Sequence, residues 1–409
     1  MSSGGEGIAS TRLTSLVAAL GIAQIVSWGT LYYSIAVLGE SMCADLGISS
    51  TSLFGAFTLG LLASGAVSPI VGRLIDASGG RLVLSSGSIL GAIALATLAL
   101  ANGIVSLVVG WILAGLAMAA CLYDPAFATL HRSTGAAYRR AVTALTLFGG
   151  FASTVFWPAS QWLLERLGWR EALWIFAALH IVLCLPLHLF FVPARGENTF
   201  STVAAQRDEV AADRLTRRLR VPPRAIFLWL AAALSLASFL SATLSAHLIT
   251  LLKSGGMSVR DAVIVSSLIG PMQVVGRVVE FTFGRRLPAV RVGAMAFVLM
   301  LAAMACLPLV RSSWLLALSF AMLYGWSNGV MTIVRGTVPA ALFGRVGYGA
   351  LLGKLALPSF VAKAVAPVAF TAALAAGLPR EQSLWILVAA AAAALIAFRM
   401  ATRRVAGDA

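Results

Sequence analysis

Residues 270–286 read GPMQVVGRVVEFTFGRR. The stretch is apolar enough to lie in a bilayer, yet Arg277 stands inside it and Glu280 follows one turn on. A charged side chain at the centre of a membrane helix costs about 2.5–3.5 kcal/mol on insertion scales, and such residues mark substrate and ion pathways. If this stretch crosses a membrane, the rest of the chain must supply a bilayer-spanning fold around it.

The composition fits that demand. Of 409 residues, 60% are hydrophobic and 11% charged, against about 25% charged in soluble domains. Twelve apolar runs recur, at 13–38, 50–71, 82–101, 104–127, 141–164, 171–192, 224–252, 259–283, 292–310, 313–334, 350–376 and 382–401. Each is near the ~20 residues that cross ~30 Å of hydrocarbon. Runs this long and uniform predict helices rather than barrel strands, since backbone groups in lipid must be satisfied internally. The expected fold class is therefore an all-α membrane protein with twelve transmembrane helices.

The formal charge of +15 raises the possibility of a nucleic-acid partner. Its distribution points elsewhere. With twelve spans, segments on the side of the termini hold 22 of the 30 Lys and Arg residues and the opposite segments hold 6, with Arg277 and Lys363 inside spans. By the positive-inside rule this predicts a multi-pass inner-membrane protein with both termini cytoplasmic. No nucleic-acid partner is expected. The start, MSSGGEGIAST, has no basic n-region, so the first span reads as an uncleaved helix rather than a signal peptide. Cys43, Cys121, Cys184 and Cys306 are scattered singly, which predicts no metal site, cofactor or disulfide framework. No Ser/His/Asp set or phosphate loop suggests an enzyme, and His180, His188 and His247 read as helix-packing residues.

The longest polar stretch, 194–223, ends in Val221-Pro222-Pro223. It reads as a cytoplasmic linker between an N-terminal bundle of six helices (1–193) and a C-terminal one (224–409). An internal match supports two homologous halves: VGRLIDASGGR at 71–81 aligns without gaps to VGRVVEFTFGR at 275–285, an offset of 204.

Gly72, Arg73, Asp76, Gly80 and Arg81 fall between the second and third spans, in a spacing that resembles the loop motif of the major facilitator superfamily. Glycines allow a tight helix-loop-helix there, and Asp76 can face a neighbouring helix N-terminus or an arginine. Residues 149–173, GGFASTVFWPASQWLLERLGWREAL, resemble the fifth-span motif of the monocarboxylate-transporter branch, which the oxalate:formate antiporters share. In that motif Pro158 would kink the helix, Gly149 and Gly150 would permit close approach, and Trp169-Arg170 would sit at the outer interface. The resemblance implies the major facilitator fold, two pseudo-symmetric six-helix bundles that rock about a central site.

It also implies a substrate site. These transporters carry an eighth-span arginine that pairs with the substrate carboxylate, and Arg277 in GRVVEF matches it by context. Two other readings stand: a second-half copy of the loop residue Arg73, and a structural pair with Glu280. Gly72 lies 23 residues after Ser49 and Gly276 only 18 after Ser258, which at 1.5 Å per residue puts Arg277 about 7 Å deeper than Arg73. The oxalate antiporters have an eleventh-span lysine as a second clamp. Lys363, near the middle of its span, matches by depth; Lys354, near Tyr348-Gly349, matches by local sequence.

Candidate hydrogen bonders and aromatics recur beside these cations: Gln24, Trp28 and Tyr32 on the first span, Tyr123 on the fourth, Trp157 on the fifth, and Tyr324, Asn328 and Thr332 on the tenth. They suit a cage for a small organic anion, or bundle packing. Asp124 and Glu280 are the candidates for proton coupling; Asp124 can equally cap a helix break or pair with Arg132 or Arg139. Proton-coupled monocarboxylate transporters have a carboxylate four residues before the eighth-span arginine, where this chain has Gln273, and their first-span lysine has no counterpart. The expected function is secondary active transport of a mono- or dicarboxylate by alternating access, by a monomer in the lipid bilayer, with a coupling proton or counter-anion. Proton-coupled efflux of a toxic compound, or a sensor or scaffold that no longer transports, are the alternatives.

Overall fold

The structure, a computed structural model, describes residues 3–194, 224–284, 287–310, 313–344 and 346–403. Most of the expected linker (195–223) lies outside the described residues, as do Arg285, Arg286, Arg311 and Arg345.

Twelve apolar helical runs are long enough to cross a membrane: α1 (Arg12–Leu46), α2 (Ser50–Ser78), α3 (Gly80–Ala99), α4 (Ile104–Thr134), α5 (Tyr138–Leu167), α6 (Trp169–Phe191), α7 (Arg224–Ser254), α8 (Val259–Thr282), α9 (Ala289–Leu309), α10 (Trp314–Phe343), α11 (Tyr348–Ala375) and α12 (Arg380–Thr402). No strand occurs among the described residues. The fold is all-α, as the hydropathy demands.

Local chemistry sets the ends. Ser49 caps α2 by accepting from the Ser52 amide at 3.1 Å, and Ser258 caps α8 by accepting from Asp261 at 3.1 Å, so one helix in each half starts with the same device. The α5–α6 turn needs Gly168, whose φ of +98° is strained for other residues. Behind it Arg170 bonds the Asp45 carboxylate and the Ala101 carbonyl and covers the Trp169 ring at 4.2 Å. Trp169 is only 6% exposed. The Gly-Trp-Arg motif therefore staples helix ends together, with its indole packed inside them.

Two helices are not uniformly α. Residues Trp28–Tyr33 of α1 and His180–Cys184 of α6 form π turns, and a buried bond of 2.9 Å between Thr30 Oγ1 and His180 Nε2 joins them. His188 likewise meets Ser88 Oγ at 2.9 Å, and His247 meets the Pro367 carbonyl at 3.1 Å. All three histidines serve helix packing.

The described residues form two compact units. One contains α1 to α6 with the start of α11 through Leu357; the other contains α7 to α10, the rest of α11 from Pro358, and α12. Lipid offers no hydrophobic drive between helices, so close backbone approach through small residues holds each unit. In the first unit α4 packs on α2 and α3, and α3 on α6; in the second α10 packs on α8 and α9, and α9 on α12. The contacts repeat at an interval of six helices. Glycine makes the tightest crossing in both: Gly60 against Gly115 between α2 and α4, and Gly276, Gly325 and Gly329 between α8 and α10.

Candidate functional site

In the first unit, chain geometry forces a polar arrangement on α4. Pro125 has no N–H, so the Cys121 carbonyl one turn earlier loses its helical donor, and the helix breaks at Leu122. Gln24, fully buried, supplies the missing donor: its Nε2 reaches the Cys121 carbonyl at 2.7 Å. Its Oε1 accepts from the Trp28 indole at 3.1 Å. Gln24 thus fixes the break and aims Trp28, a positioning role that the sequence reading as a substrate ligand did not contain.

Trp28 then gathers the aromatics. Its ring lies 5.2 Å from both Tyr32 and Tyr123, and Tyr123 stacks on Phe127 at 5.3 Å. The Tyr123 hydroxyl fills the place of a side chain at Gly149, so that glycine is required by the approach of α4 to α5. Trp28, Tyr32 and Tyr123 therefore come together. Trp157 reaches them through Tyr33, whose ring lies 6.1 Å from Trp28 and 5.3 Å from Tyr32. It is 49% exposed, pairs with Tyr33 at 6.1 Å, and lines an outward groove with Val37 and Gln161.

Asp124 opens the resumed α4 helix, in the first turn where a carboxylate complements the macrodipole. It also lines a narrow cavity with Gly72, Gly349 and Gly353. At the same end Asp76 accepts from the amides of Gly349 and Ala350 at 3.0 and 2.8 Å, capping the N-terminus of α11. The Asp76 backbone carbonyl accepts from Arg132 at 2.7 Å. A side chain at Gly72 would collide with the Gly349 carbonyl, and one at Gly80 with Thr129. Arg81 donates to the Val192 carbonyl at 2.6 Å, while Arg73 is exposed. Each motif residue except Arg73 thus has a defined partner in this unit.

The second unit holds Arg277 and Lys363. Arg277 is 6% exposed and Glu280 5%. The guanidinium reaches across to α10, donating to the Gly329 carbonyl at 3.4 Å and to Thr332 Oγ1 at 3.5 Å. Both contacts are at the long limit for hydrogen bonds. The difference in depth read from the helix starts is not a difference at the helix ends. Arg73 and Arg277 each stand five residues before the last residue of α2 and α8; α8 is 24 residues long and α2 is 29. Burial, not depth, separates the two arginines.

Lys363 is half-buried on α11, its Nζ 5.5 Å from the centre of the Phe360 ring. Lys354 is exposed and belongs to the first unit. Tyr324 is buried and stacks on Phe320 at 5.6 Å, while Asn328 is half-buried one turn before Thr332.

Arg335 is a residue that the sequence reading left in a loop. α10 continues to Phe343, so Arg335 is a helical residue, half-buried, with its guanidinium 5.7 Å from the Phe360 ring. The apolar run at 336–343, closed by Gly344, is the signal that could have found it.

The second unit thus offers buried or half-buried cations from three helices, and the first offers an aromatic cluster tied to a helix break. No group of His, Cys, Asp and Glu fit for a metal occurs among the described residues.

The comparisons with known proteins agree with this architecture. No curated protein sequence matches the chain. Among solved structures, the proton:xylose symporter XylE bound to 6-bromo-6-deoxy-D-glucose superposes with a TM-score of 0.76 at 15% identity, over 95% of each chain. The human organic anion transporter MFSD10 (TETRAN) superposes with a TM-score of 0.66 at 16% identity, over 97% of this chain and 99% of that one. At such identities the likeness is one of fold. Residues 20–334 match the model of the Major Facilitator Superfamily, and with twelve membrane-crossing helices behind that match the chain belongs to this superfamily of multi-pass membrane transporters.

Proposed function

We propose that the protein is a secondary active transporter that moves a small organic anion, a mono- or dicarboxylate, by alternating access, as in the monocarboxylate and oxalate:formate branch. The observation that carries this reading is Arg277: a guanidinium 6% exposed inside α8, held by hydrogen bonds of 3.4 and 3.5 Å. Long bonds leave the charge weakly compensated, and a carboxylate that accepts a bidentate pair would compensate it fully. Lys363 is the second cation. The solved relatives do not decide the substrate, since one is titled an organic anion transporter and another a proton:xylose symporter.

In this reading residues 1–193 and 224–409 are the two halves, 194–223 is a cytoplasmic linker, and a monomer lies in the inner membrane with both termini inside. Asp124, at its helix break and cavity, and Glu280 are the groups through which a proton would couple; a counter-anion is the other driver. Purified protein in proteoliposomes, loaded with one carboxylate and exposed to a labelled second, tests the reading. Exchange is expected in the wild type and lost in Arg277→Ala and Lys363→Ala. Unimpaired exchange in both variants, or competition by cationic dyes but by no carboxylate, would refute it.

A further inference from the structure

We infer that His180 is a positioning residue for the aromatic cluster of the first unit: through Thr30 it holds α1 in a π turn, and that turn sets Tyr33 beside Trp28. The inference rests on the proposed reading of the protein as an organic-anion transporter, in which Trp28, Tyr32, Tyr33 and Tyr123 meet the apolar body of the anion.

π turns are rare in helices and concentrate at functional sites. Two are joined here, Trp28–Tyr33 on α1 and His180–Cys184 on α6. Gly29 is the midpoint of α1 and His180 the midpoint of α6, and secondary transporters hold their substrates near the middle of the bilayer.

The hydrogen bonds fix which ring nitrogen does the work. Thr30 has one hydroxyl proton and donates it to the Val26 carbonyl at 2.8 Å. At 2.9 Å the same oxygen can then only accept, so His180 Nε2 carries the proton and donates it. His180 Nδ1 is left as a bare acceptor, buried and without a hydrogen-bond partner among the described residues. A residue kept for packing alone would not bear that cost, since a phenyl ring fills similar space with no orphaned nitrogen. What histidine adds is the Nε2–H that grips Thr30.

The grip decides where three rings stand. Tyr33 follows Trp28 by five residues, which in an α-helix would place it about 140° round the axis from Trp28. A π turn bonds residue i to residue i+5 and brings the fifth residue back over the first. Trp28–Tyr32, Tyr32–Tyr33 and Trp28–Tyr33 accordingly lie 5.2, 5.3 and 6.1 Å apart. Tyr33 in turn meets Trp157 at 6.1 Å. Gly29 makes room within the turn for Phe156 of α5, where a side chain would overlap the ring. Without the His180 bond α1 relaxes to the α pattern, which swings Tyr33 away from Trp28 and opens the aromatic wall.

The test compares the wild type with His180→Phe, which keeps a ring but loses the donor, and with His180→Gln, whose amide Nε2–H replaces it. Nitration by tetranitromethane, located by mass spectrometry, reads the register of α1 with no substrate present. Tyr33 is expected to react several-fold faster in His180→Phe and at the wild-type rate in His180→Gln, while the buried Tyr138 and Tyr348 stay protected in all three. Affinity for butyrate, benzoate, oxalate and succinate is read from thermal stabilisation. For whichever acid the wild type binds, it is expected to fall about tenfold in His180→Phe and to recover in His180→Gln. Adding Tyr33→Leu to His180→Phe is expected to lower it no further, because both changes remove one effect. If Tyr138 and Tyr348 also react in His180→Phe, that variant is misfolded, and Thr30→Val, which removes the other partner of the bond, takes its place. An unchanged Tyr33 rate, or a raised rate with unchanged affinity, overturns the inference and leaves the Arg277 reading intact. A wild type that binds none of the four acids overturns the proposed function, and the inference with it.

Discussion

Replacing Gln24 by methionine is expected to destabilise the protein strongly without any substrate present. The change keeps the volume and removes both hydrogen bonds. The Cys121 carbonyl, already without its helical donor because of Pro125, loses the 2.7 Å bond, and the Trp28 indole loses the 3.1 Å bond. An orphaned buried polar group costs about 1–3 kcal/mol. In membrane proteins the mean is nearer 0.6 and the maximum about 1.7 kcal/mol, since the reference state also finds partners. Two groups at a fully buried residue give about 1–3 kcal/mol on the membrane figures. For a unit of 150–250 residues, 1 kcal/mol shifts Tm by about 2–4 °C, so a loss of roughly 3–12 °C is expected in detergent. The double variant Gln24→Met with Trp28→Phe is expected to lose less than the sum of the single losses, because removing the indole N–H abolishes one orphan. A Tm within about 2 °C of wild type for Gln24→Met, with substrate affinity reduced, would refute the positioning role and return Gln24 to the list of direct ligands.

Asp76→Asn keeps the size but not the charge at the N-terminus of α11. The loss is expected to be about 1–2 kcal/mol, from weaker bonds to Gly349 and Ala350 and from the helix dipole, read as a lowered Tm that salt makes smaller. Gly149→Val would drive a side chain into the Tyr123 hydroxyl; overpacking of this kind costs about 1–3 kcal/mol, and protection of Tyr123 from nitration should fall. Thr30→Val breaks the bond that joins the two π turns, and a Tm drop of a few degrees is expected, with no change if the His180 contact is incidental.

Much of this was legible in the chain because lipid is an exacting solvent. A bilayer accepts few backbone solutions, so hydropathy alone predicts twelve helices; the motif from Gly72 to Arg81 leaves Asp76 to face a helix N-terminus or an arginine, and its carboxylate takes the N-terminus of α11. Hydropathy fails at helix ends. It registers the apolar stretch and stops at the first charge, whereas α10 runs nine residues past 334 and α4 seven past 127. Arg335 was misplaced for that reason. Spacing along a helix also cannot say what a side chain faces. Gln24, Trp28 and Tyr32 do share a face, yet Gln24 is consumed by the carbonyl that Pro125 strands, and Trp157 turns outward. Both facts depend on a second helix, and one sequence carries no record of which helices meet.

The central claim is that the buried charge of Arg277 is retained for an anionic guest, not for stability. The most direct measurement is the Tm of purified wild type and Arg277→Met, each with and without a saturating carboxylate. A ligand at a hundred times its Kd adds about 2.7 kcal/mol to the state it binds. The account predicts a ligand-dependent rise of several degrees in the wild type, none in Arg277→Met, and a ligand-free variant at least as stable as the wild type, since a buried, loosely bonded cation has been replaced by an apolar side chain. An Arg277→Met protein that melts far below wild type, yet is stabilised by the carboxylate to the same extent, would contradict it.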